Sequence, residues 1–127
     1  MSAFTHVVLG TNDLDQGKAF YDAALNALGL NNLGPFNDTG YLYGTDAPAF
    51  ILTKPANGEP ACHANGGTIG FAAASRAAVD QFHAAGMANG GTDEGAPGPR
   101  AITPTAYGAY LRDPDGNKLC AYSFAEE

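Results

Sequence analysis

The sequence predicts an α+β fold made of two tandem βαβββ modules within one domain. A short apolar strand, a capped helix and a glycine stop open the first half, and the same series begins again 62 residues later. Short β-type segments bounded by Gly, Asn, Asp and Pro follow each helix, as is typical of antiparallel strands joined by tight turns. A chain of 127 residues has the length of one domain and can bury a core without disulfide bonds.

The first module is predicted to contain one strand, one helix and three further strands. Asp13 is placed to cap the helix, with Gln16 three residues later in the pattern of a capping box. Apolar residues at helical spacing follow on one face, and Gly29 supplies the helix stop. The predicted segments are a strand over 4–10, a helix over 14–28, and strands around 33–36, 40–44 and 49–54.

A stretch rich in Gly, Pro and Asn, Pro55 to Gly67, separates the modules, and Ser75 is then placed to cap the second helix. The predicted segments are a strand over 68–74, a helix to Asn89, a mostly loop region over 92–104, and strands over 105–113 and 117–124. Asp113-Pro114-Asp115-Gly116 suits a type I turn between the last two strands. Module 1 is therefore placed at about 3–55, the linker at about 56–66 and module 2 at about 67–125 of a single domain spanning 1–127.

The two modules align without a gap across the strand, the cap, the helix and the stop. Because both the cap and the stop coincide, we interpret the repeat as an internal duplication. Equivalent pairs under the 62-residue shift include His6 and Thr68, Asp13 and Ser75, Phe20 and Phe82, and Gly29 and Gly91.

Charge and composition exclude several classes of partner. The 13 acidic and 6 basic residues give a net charge of −7, and the basic residues are scattered, so the chain lacks the footprint that nucleic acids or anionic membranes require. No apolar run reaches the roughly 18 residues of a membrane span, and the first ten residues lack signal-peptide features. We therefore expect a cytoplasmic protein in which Cys62 and Cys120 are free thiols.

Three segments together carry a family resemblance: Thr5-His6-Val7-Val8-Leu9-Gly10, Ala19-Phe20-Tyr21-Asp22, and Leu111-Arg112-Asp113-Pro114-Asp115-Gly116-Asn117-Lys118. With the duplicated βαβββ unit, they resemble the vicinal oxygen chelate superfamily of glyoxalases, bleomycin-resistance proteins and extradiol dioxygenases. The resemblance covers essentially the whole chain. It implies sheets that curve into a cup with the helices outside, and a homodimer whose pockets are often built from both chains.

The resemblance also implies where a metal would bind. The superfamily site, when present, takes one ligand from the first strand and one from the last strand of each module, typically His or Gln, Glu, His and Glu. The matching positions here are His6, then Ile51 or Leu52, Thr68 and Cys120. Because a catalytic zinc usually keeps three protein ligands, this set predicts a degenerate site with no cofactor. A divalent Zn, Ni, Mn or Fe ion is the alternative.

Six residues are candidates for lining a ligand pocket. His6, Thr68 and Cys120 could serve as polar anchors in the cup, and Arg100 in Gly98-Pro99-Arg100 could hold a carboxylate or phosphate near its mouth. Phe50 and Tyr107 are chosen from the aromatic residues of the predicted strands, some of which must fill the core because neighbours on a strand face opposite ways. That aromatic set is Tyr41, Tyr43, Phe50, Tyr107, Tyr110 and Tyr122.

Several functions remain open from the sequence. The first is a metal-free dimer whose cup binds a small, largely apolar or aromatic molecule, since such pockets are mostly apolar with a few polar anchors. The second is a metal-dependent lyase, isomerase or dioxygenase with an unusual ligand set. Metal-free chemistry, with His6 as base or Cys120 as nucleophile, and a purely structural or regulatory dimer are further alternatives. No catalytic residue is assigned.

Overall fold

The chain folds as a strand, a helix and three strands, twice over. This computed structural model describes residues 3–127; Met1 and Ser2 of the predicted domain lie outside the described residues. The first module contains β1 (Val7–Gly10), α1 (Leu14–Asn26), β2 (Asn31–Phe36), β3 (Gly40–Gly44) and β4 (Pro48–Thr53). The second contains β5 (Ile69–Ala72), α2 (Arg76–Ala88), β6 (Thr92–Pro99), β7 (Tyr107–Arg112) and β8 (Lys118–Ser123).

Both helices begin at the predicted caps. The Asp13 side chain accepts a hydrogen bond from the backbone N–H of Gln16 at 3.1 Å, and Ser75 Oγ accepts one from Ala78 at 3.1 Å. Each bond satisfies one of the amide donors that a helix leaves free in its first turn. Neither helix in the described chain is long and apolar enough to cross a membrane.

The glycine that ends the second helix lies one residue earlier than the 62-residue shift predicts. Gly29 has a φ of 82° and Gly90 a φ of 96°, so Gly90, not Gly91, is the structural equivalent of Gly29. The following residue closes the helix end in both modules, since Leu30 donates its N–H to the Leu25 carbonyl and Gly91 donates to the Gly86 carbonyl. The alignment of the two modules is therefore no longer gapless at the end of the helix, where the second module is one residue shorter.

The prediction that 92–104 is mostly loop is wrong for its first eight residues, which form β6. This strand lies at the edge of its sheet and pairs with β7 through two irregularities in register, one on each side of Gly95. An edge position tolerates prolines such as Pro97 and Pro99, because proline lacks the donor that a central strand needs. The glycine and proline content of this segment is typical of a loop, but pairing with β7 stabilises it as a strand.

Each module forms its own four-stranded mixed sheet. Sheet 1 has the order β1-β4-β3-β2 and sheet 2 the order β5-β8-β7-β6, with the first and last strands of each module parallel. The two registers are equivalent, because Val8 lies opposite Ile51 in sheet 1 and Gly70 lies opposite Cys120 in sheet 2. Within residues 3–127 the sheets stay open and share no strand pairing, which confirms the predicted α+β architecture.

Alternation along the strands gives each sheet a helix-facing side and an open face. Side chains from both helices and from the helix-facing sides of both sheets form one core. Its largest members are Phe20, Tyr21, Leu25, Tyr43, Phe50, Leu52, Val79, Phe82, Leu111 and Leu119. The open faces keep large apolar side chains in contact with solvent, including Val8 at 48% and Phe124 at 53% exposure.

A buried carboxylate connects the β7–β8 turn to the first module. The predicted turn is confirmed by the bond from Gly116 N–H to the Asp113 carbonyl at 3.0 Å. Asp113 Oδ2 accepts from the Tyr21 hydroxyl of α1 at 2.5 Å and from Asn117 Nδ2 at 2.8 Å. Burial raises the pKa of Asp113 above its ordinary value, although these hydrogen bonds act in the opposite direction.

Candidate functional site

The open face of sheet 2 bounds a cavity of about 430 Å³. Tyr110 on β7, Tyr122 on β8 and Phe124 just beyond β8 form one wall, which we call the aromatic face. Small side chains of β5 and the exposed Ile102 complete the lining. The lining residues are Gly70, Phe71, Ala72, Ala73, Ile102, Tyr110, Tyr122 and Phe124.

The rings of the aromatic face hold one another in place. Tyr110 and Tyr122 meet edge to face, with centroids 5.8 Å apart and hydroxyl oxygens 2.7 Å apart. Phe124 stacks on Tyr122 with an interplanar angle of 11°. Gly108 lies opposite Tyr122 in the ladder, and a Cβ there would lie 2.8 Å from the ring. Glycine at this position therefore lets the Tyr122 ring lie flat on the backbone of β7.

The hydroxyl of Tyr110 stays neutral well above ordinary pH. The hydrogen bond with Tyr122, followed by burial, raises the pKa of Tyr110 to about 12. A neutral phenol both donates and accepts hydrogen bonds, so the pair presents polar atoms within an otherwise apolar wall.

Cys120 lies beneath the aromatic face and is 5% exposed. Burial raises the pKa of its thiol, and this effect exceeds the opposing effects of a hydrogen bond from Tyr110 and the charge of Lys118. Because only the thiolate is a strong nucleophile, this environment favours a packing residue over a reactive one. Gly70 faces the sulfur directly, since a Cβ at Gly70 would lie 3.3 Å from it.

Arg100 folds back over β6 rather than pointing freely into solvent. Its terminal nitrogens donate to the carbonyls of Ala96 and Gly98 at 2.8 and 2.9 Å, and to that of Pro99 at 3.3 Å. Its guanidinium carbon lies 5.8 Å from the centre of the Tyr110 ring. Arg100 therefore braces the end of β6 while placing a positive charge beside the aromatic face.

A second and larger cavity, about 1040 Å³, lies on the open face of sheet 1. Val8, Phe36 and Thr53 contribute from the strands, and the segment 54–62 contributes the opposite side. Asn12 holds that segment in place, because its side chain exchanges two hydrogen bonds with the backbone of Ala61. The two cavities share no lining residue.

The register resolves the open choice between Ile51 and Leu52 for the metal-ligand position. Ile51 occupies the place in sheet 1 that Cys120 occupies in sheet 2, whereas Leu52 is fully buried in the core. The four positions are thus His6, Ile51, Thr68 and Cys120, of which Ile51 has no donor atom and Thr68 offers only a neutral hydroxyl. Among residues 3–127, no group of three or more His, Cys, Asp or Glu side chains could hold a metal ion. The donor set does not fit the metal of the superfamily.

The structure brings only some of the predicted pocket residues together. Cys120 and Arg100 meet at Tyr110 on the open face of sheet 2. His6 and Thr68 are exposed and immediately precede β1 and β5, and His6 Nδ1 lies 2.9 Å from Thr5 Oγ1.

Phe50 and Tyr107 occupy the helix-facing sides of the sheets, so they do not line either cavity. Phe50 is 1% exposed and packs on Tyr21 with ring centroids 4.7 Å apart. The Tyr107 hydroxyl donates to Asp80 of α2 at 2.6 Å. The strand register therefore places both side chains on the core side of their sheets.

Sequence reasoning selected none of the eight residues that line this cavity, and it did not select Lys118. Tyr110 and Tyr122 were recognised as strand aromatics but were not selected. Alternation counted outward from the Asp-Pro-Asp-Gly turn would have placed 110 and 112 on one face with 118, 120 and 122. That count requires the hairpin register, which the turn sequence leaves open and the structure provides.

The comparisons with known proteins agree with this architecture. Residues 3–121 match the family model of the glyoxalase/bleomycin resistance protein/dioxygenase superfamily. The crystal structure of a glyoxalase/bleomycin resistance protein from Albidiferax ferrireducens T118 is 53% identical, with a TM-score of 0.86, and the match covers 96% of this chain and 98% of that chain. No curated protein matches the chain.

More distant structures share the fold alone. A glyoxalase-related enzyme from Fulvimarina pelagi is 16% identical with a TM-score of 0.74, over 96% of this chain and 88% of that chain. Lactoylglutathione lyase from Agrobacterium tumefaciens is 23% identical with a TM-score of 0.65, over 97% and 95% of the two chains. Together with the match over residues 3–121, the duplicated open sheets confirm the resemblance seen in the sequence. This chain belongs to the glyoxalase/bleomycin resistance protein/dioxygenase superfamily.

Proposed function

We infer that this protein binds a small, largely aromatic organic molecule on the open face of sheet 2. The observation that carries the proposal is the cavity of about 430 Å³ walled by Tyr110, Tyr122 and Phe124. Its size lies within the range of about 300–1,000 Å³ that is usual for small-molecule sites. Flat rings next to two hydrogen-bonded hydroxyls suit a planar ligand that carries a polar substituent.

We propose that binding needs no resident metal. The support is the donor set at the superfamily positions, where Ile51 offers no ligand atom and Thr68 offers only a neutral hydroxyl. Metal analysis of protein purified without a chelator tests this, together with thermal shifts on adding Zn, Ni, Mn or Fe. Unchanged melting temperatures and substoichiometric metal are expected. One tightly held metal per chain would instead favour the metal-dependent lyase, isomerase or dioxygenase.

We also propose that a second copy of the chain covers the open faces. Val8, Ile102 and Phe124 are 48%, 69% and 53% exposed, and large apolar side chains grouped on sheet faces are typical of surfaces that pair. Sedimentation equilibrium should then give about twice the 13.0 kDa of one chain. A monomer at all concentrations tested would contradict this part of the proposal.

The two unbridged cysteines favour a cytoplasmic location.

The binding proposal is tested by titrating a panel of one- and two-ring aromatic compounds into the protein by calorimetry. Tyr122→Leu removes one ring of the wall and should weaken any bound compound roughly 2- to 10-fold. Tyr41→Leu is the matched control, because Tyr41 is a half-buried strand tyrosine on the helix-facing side of sheet 1. Circular dichroism verifies that both variants are folded. A panel without any binder, or equal weakening by both variants, would count against the proposal.

A further inference from the structure

We propose that the ligand of the aromatic face is an aromatic anion, such as an arenecarboxylate, whose negative group lies toward Lys118 and Arg100. This inference rests on the proposed function and narrows it to one charge class. It starts from an imbalance: the chain has a net charge of −7, yet three of its six Lys and Arg residues lie on the open face of sheet 2. These are Arg100, Arg112 and Lys118.

Two of these cations converge on one ring. Lys118 Nζ lies 5.4 Å from the centre of the Tyr110 ring, and the guanidinium carbon of Arg100 lies 5.8 Å from it. Within residues 3–127, Glu94 is the only carboxylate paired with any of the three, through Arg112 at 2.7 Å. Lys118 and Arg100 do not line the cavity themselves, but they place positive charge over a ring that does, and neither has a carboxylate partner within residues 3–127.

The pairing of β7 with β8 places two of these cations opposite each other. Arg112 and Lys118 are direct partners in the register of β7 and β8. Like charges directly opposite each other destabilise an antiparallel pair. Glu94 already pairs with Arg112 at 2.7 Å, so Lys118 is the member of this pair whose charge is left for a bound anion.

The aromatic face supplies the other half of the recognition. Tyr122 and Phe124 offer parallel rings for stacking, and the Tyr110–Tyr122 hydroxyl pair lies next to them. Because the Tyr110 hydroxyl keeps its proton far above neutral pH, it adds no negative charge that would repel an anion. Tyr110 contacts both Tyr122 and Lys118, so a ligand ring stacked on Tyr122 has the Lys118 charge one ring away.

The experiment compares three probes by calorimetry at low ionic strength. 2-Naphthoate carries both the ring and the charge, 2-naphthamide carries the ring alone, and cyclohexanecarboxylate carries the charge without an aromatic ring. We expect 2-naphthoate to bind tightest, and its advantage over 2-naphthamide to shrink as salt is added. Equal binding of 2-naphthoate and 2-naphthamide would overturn the charge preference and leave the proposed function intact. Absence of binding by every aromatic probe would overturn both, and equal binding of cyclohexanecarboxylate would overturn the aromatic requirement.

Charge variants locate the interaction. Lys118→Gln should weaken 2-naphthoate roughly 2- to 5-fold, the range for partly exposed ion pairs, and leave 2-naphthamide unchanged. Lys18→Gln is the control, because Lys18 also lies over a tyrosine ring, at 5.7 Å from Tyr41, but on the helix-facing side. Equal losses in Lys18→Gln and Lys118→Gln would contradict the location. Since Lys118 lies opposite Arg112, its replacement is not expected to destabilise the hairpin.

Discussion

Replacing Tyr21 by phenylalanine removes one hydroxyl from the link between the two modules. That hydroxyl belongs to α1 in the first module and donates to Asp113 in the β7–β8 turn of the second, at 2.5 Å. Both residues are buried, with exposures of 0% and 2%, so water cannot replace the lost donor. The ring itself stays, and its packing in the core is retained. The substitution therefore isolates the hydrogen bond between the modules.

The size of the effect follows from what remains around Asp113. The carboxylate keeps three donors, the N–H of Asp115 and both the N–H and the side-chain amide of Asn117. It is weakened but not left without partners, so the loss is that of one hydrogen bond to a charged group, about 1.5–3 kcal/mol. For a chain of this size, each kcal/mol lost lowers the Tm by about 3–5 °C.

Urea unfolding followed by circular dichroism measures the difference, with Tyr43→Phe as the matched control. Tyr43 is also 0% exposed, but its hydroxyl donates at 2.8 Å to Asp22, a side chain that is 34% exposed and already paired with Lys18. Water can reach that carboxylate, so Tyr43→Phe should cost only about 0.5–1.5 kcal/mol. If Tyr21→Phe costs no more than Tyr43→Phe, the buried link does not have the role assigned to it.

Three further predictions concern packing, titration and capping. Gly86→Ala would place a methyl group 2.6 Å from the Leu111 side chain, so it should lower the free energy of unfolding by about 1–3 kcal/mol despite the better helix propensity of alanine; a stabilised variant would contradict the close packing. The pKa of Tyr110, raised to about 12, should fall toward its ordinary value in Tyr122→Phe when the tyrosines are titrated by absorbance. Because the folded pKa is the higher one, this contribution to stability is complete below about pH 10 and is lost as the pH rises through 12. Ser75→Ala should lower the free energy of unfolding, measured in urea, by about 1 kcal/mol, whereas Ser75→Thr should retain most of the stabilisation that the cap provides.

Much of the fold was predictable because local signals agreed with one another. Asp13 and Ser75 cap the helices as predicted, and the strands that flank the Asp-Pro-Asp-Gly turn form the expected hairpin. β6 was missed because its Gly and Pro content is typical of loops, and only pairing with β7 makes it a strand. Tertiary pairing outweighed local propensity at that edge.

The candidate site was less predictable for a different physical reason. Which face a strand residue occupies depends on register, and a shift of one residue moves every side chain to the other side. Without the register, the sequence does not distinguish Phe50 and Tyr107, which face the core, from Tyr110 and Tyr122, which line the cavity. The charge pattern could not be predicted either, because Arg100 reaches Tyr110 only when its side chain folds back over Gly95 and Gly98 of β6.

The most direct test of ligand binding at the aromatic face is a map of backbone amide shifts by NMR during titration with 2-naphthoate. We predict that the largest shifts cluster in β7, β8 and the residues around Phe124, which border the cavity of sheet 2. Shifts concentrated instead in the segment 54–62, or the absence of any shift at saturating probe, would contradict binding at this face.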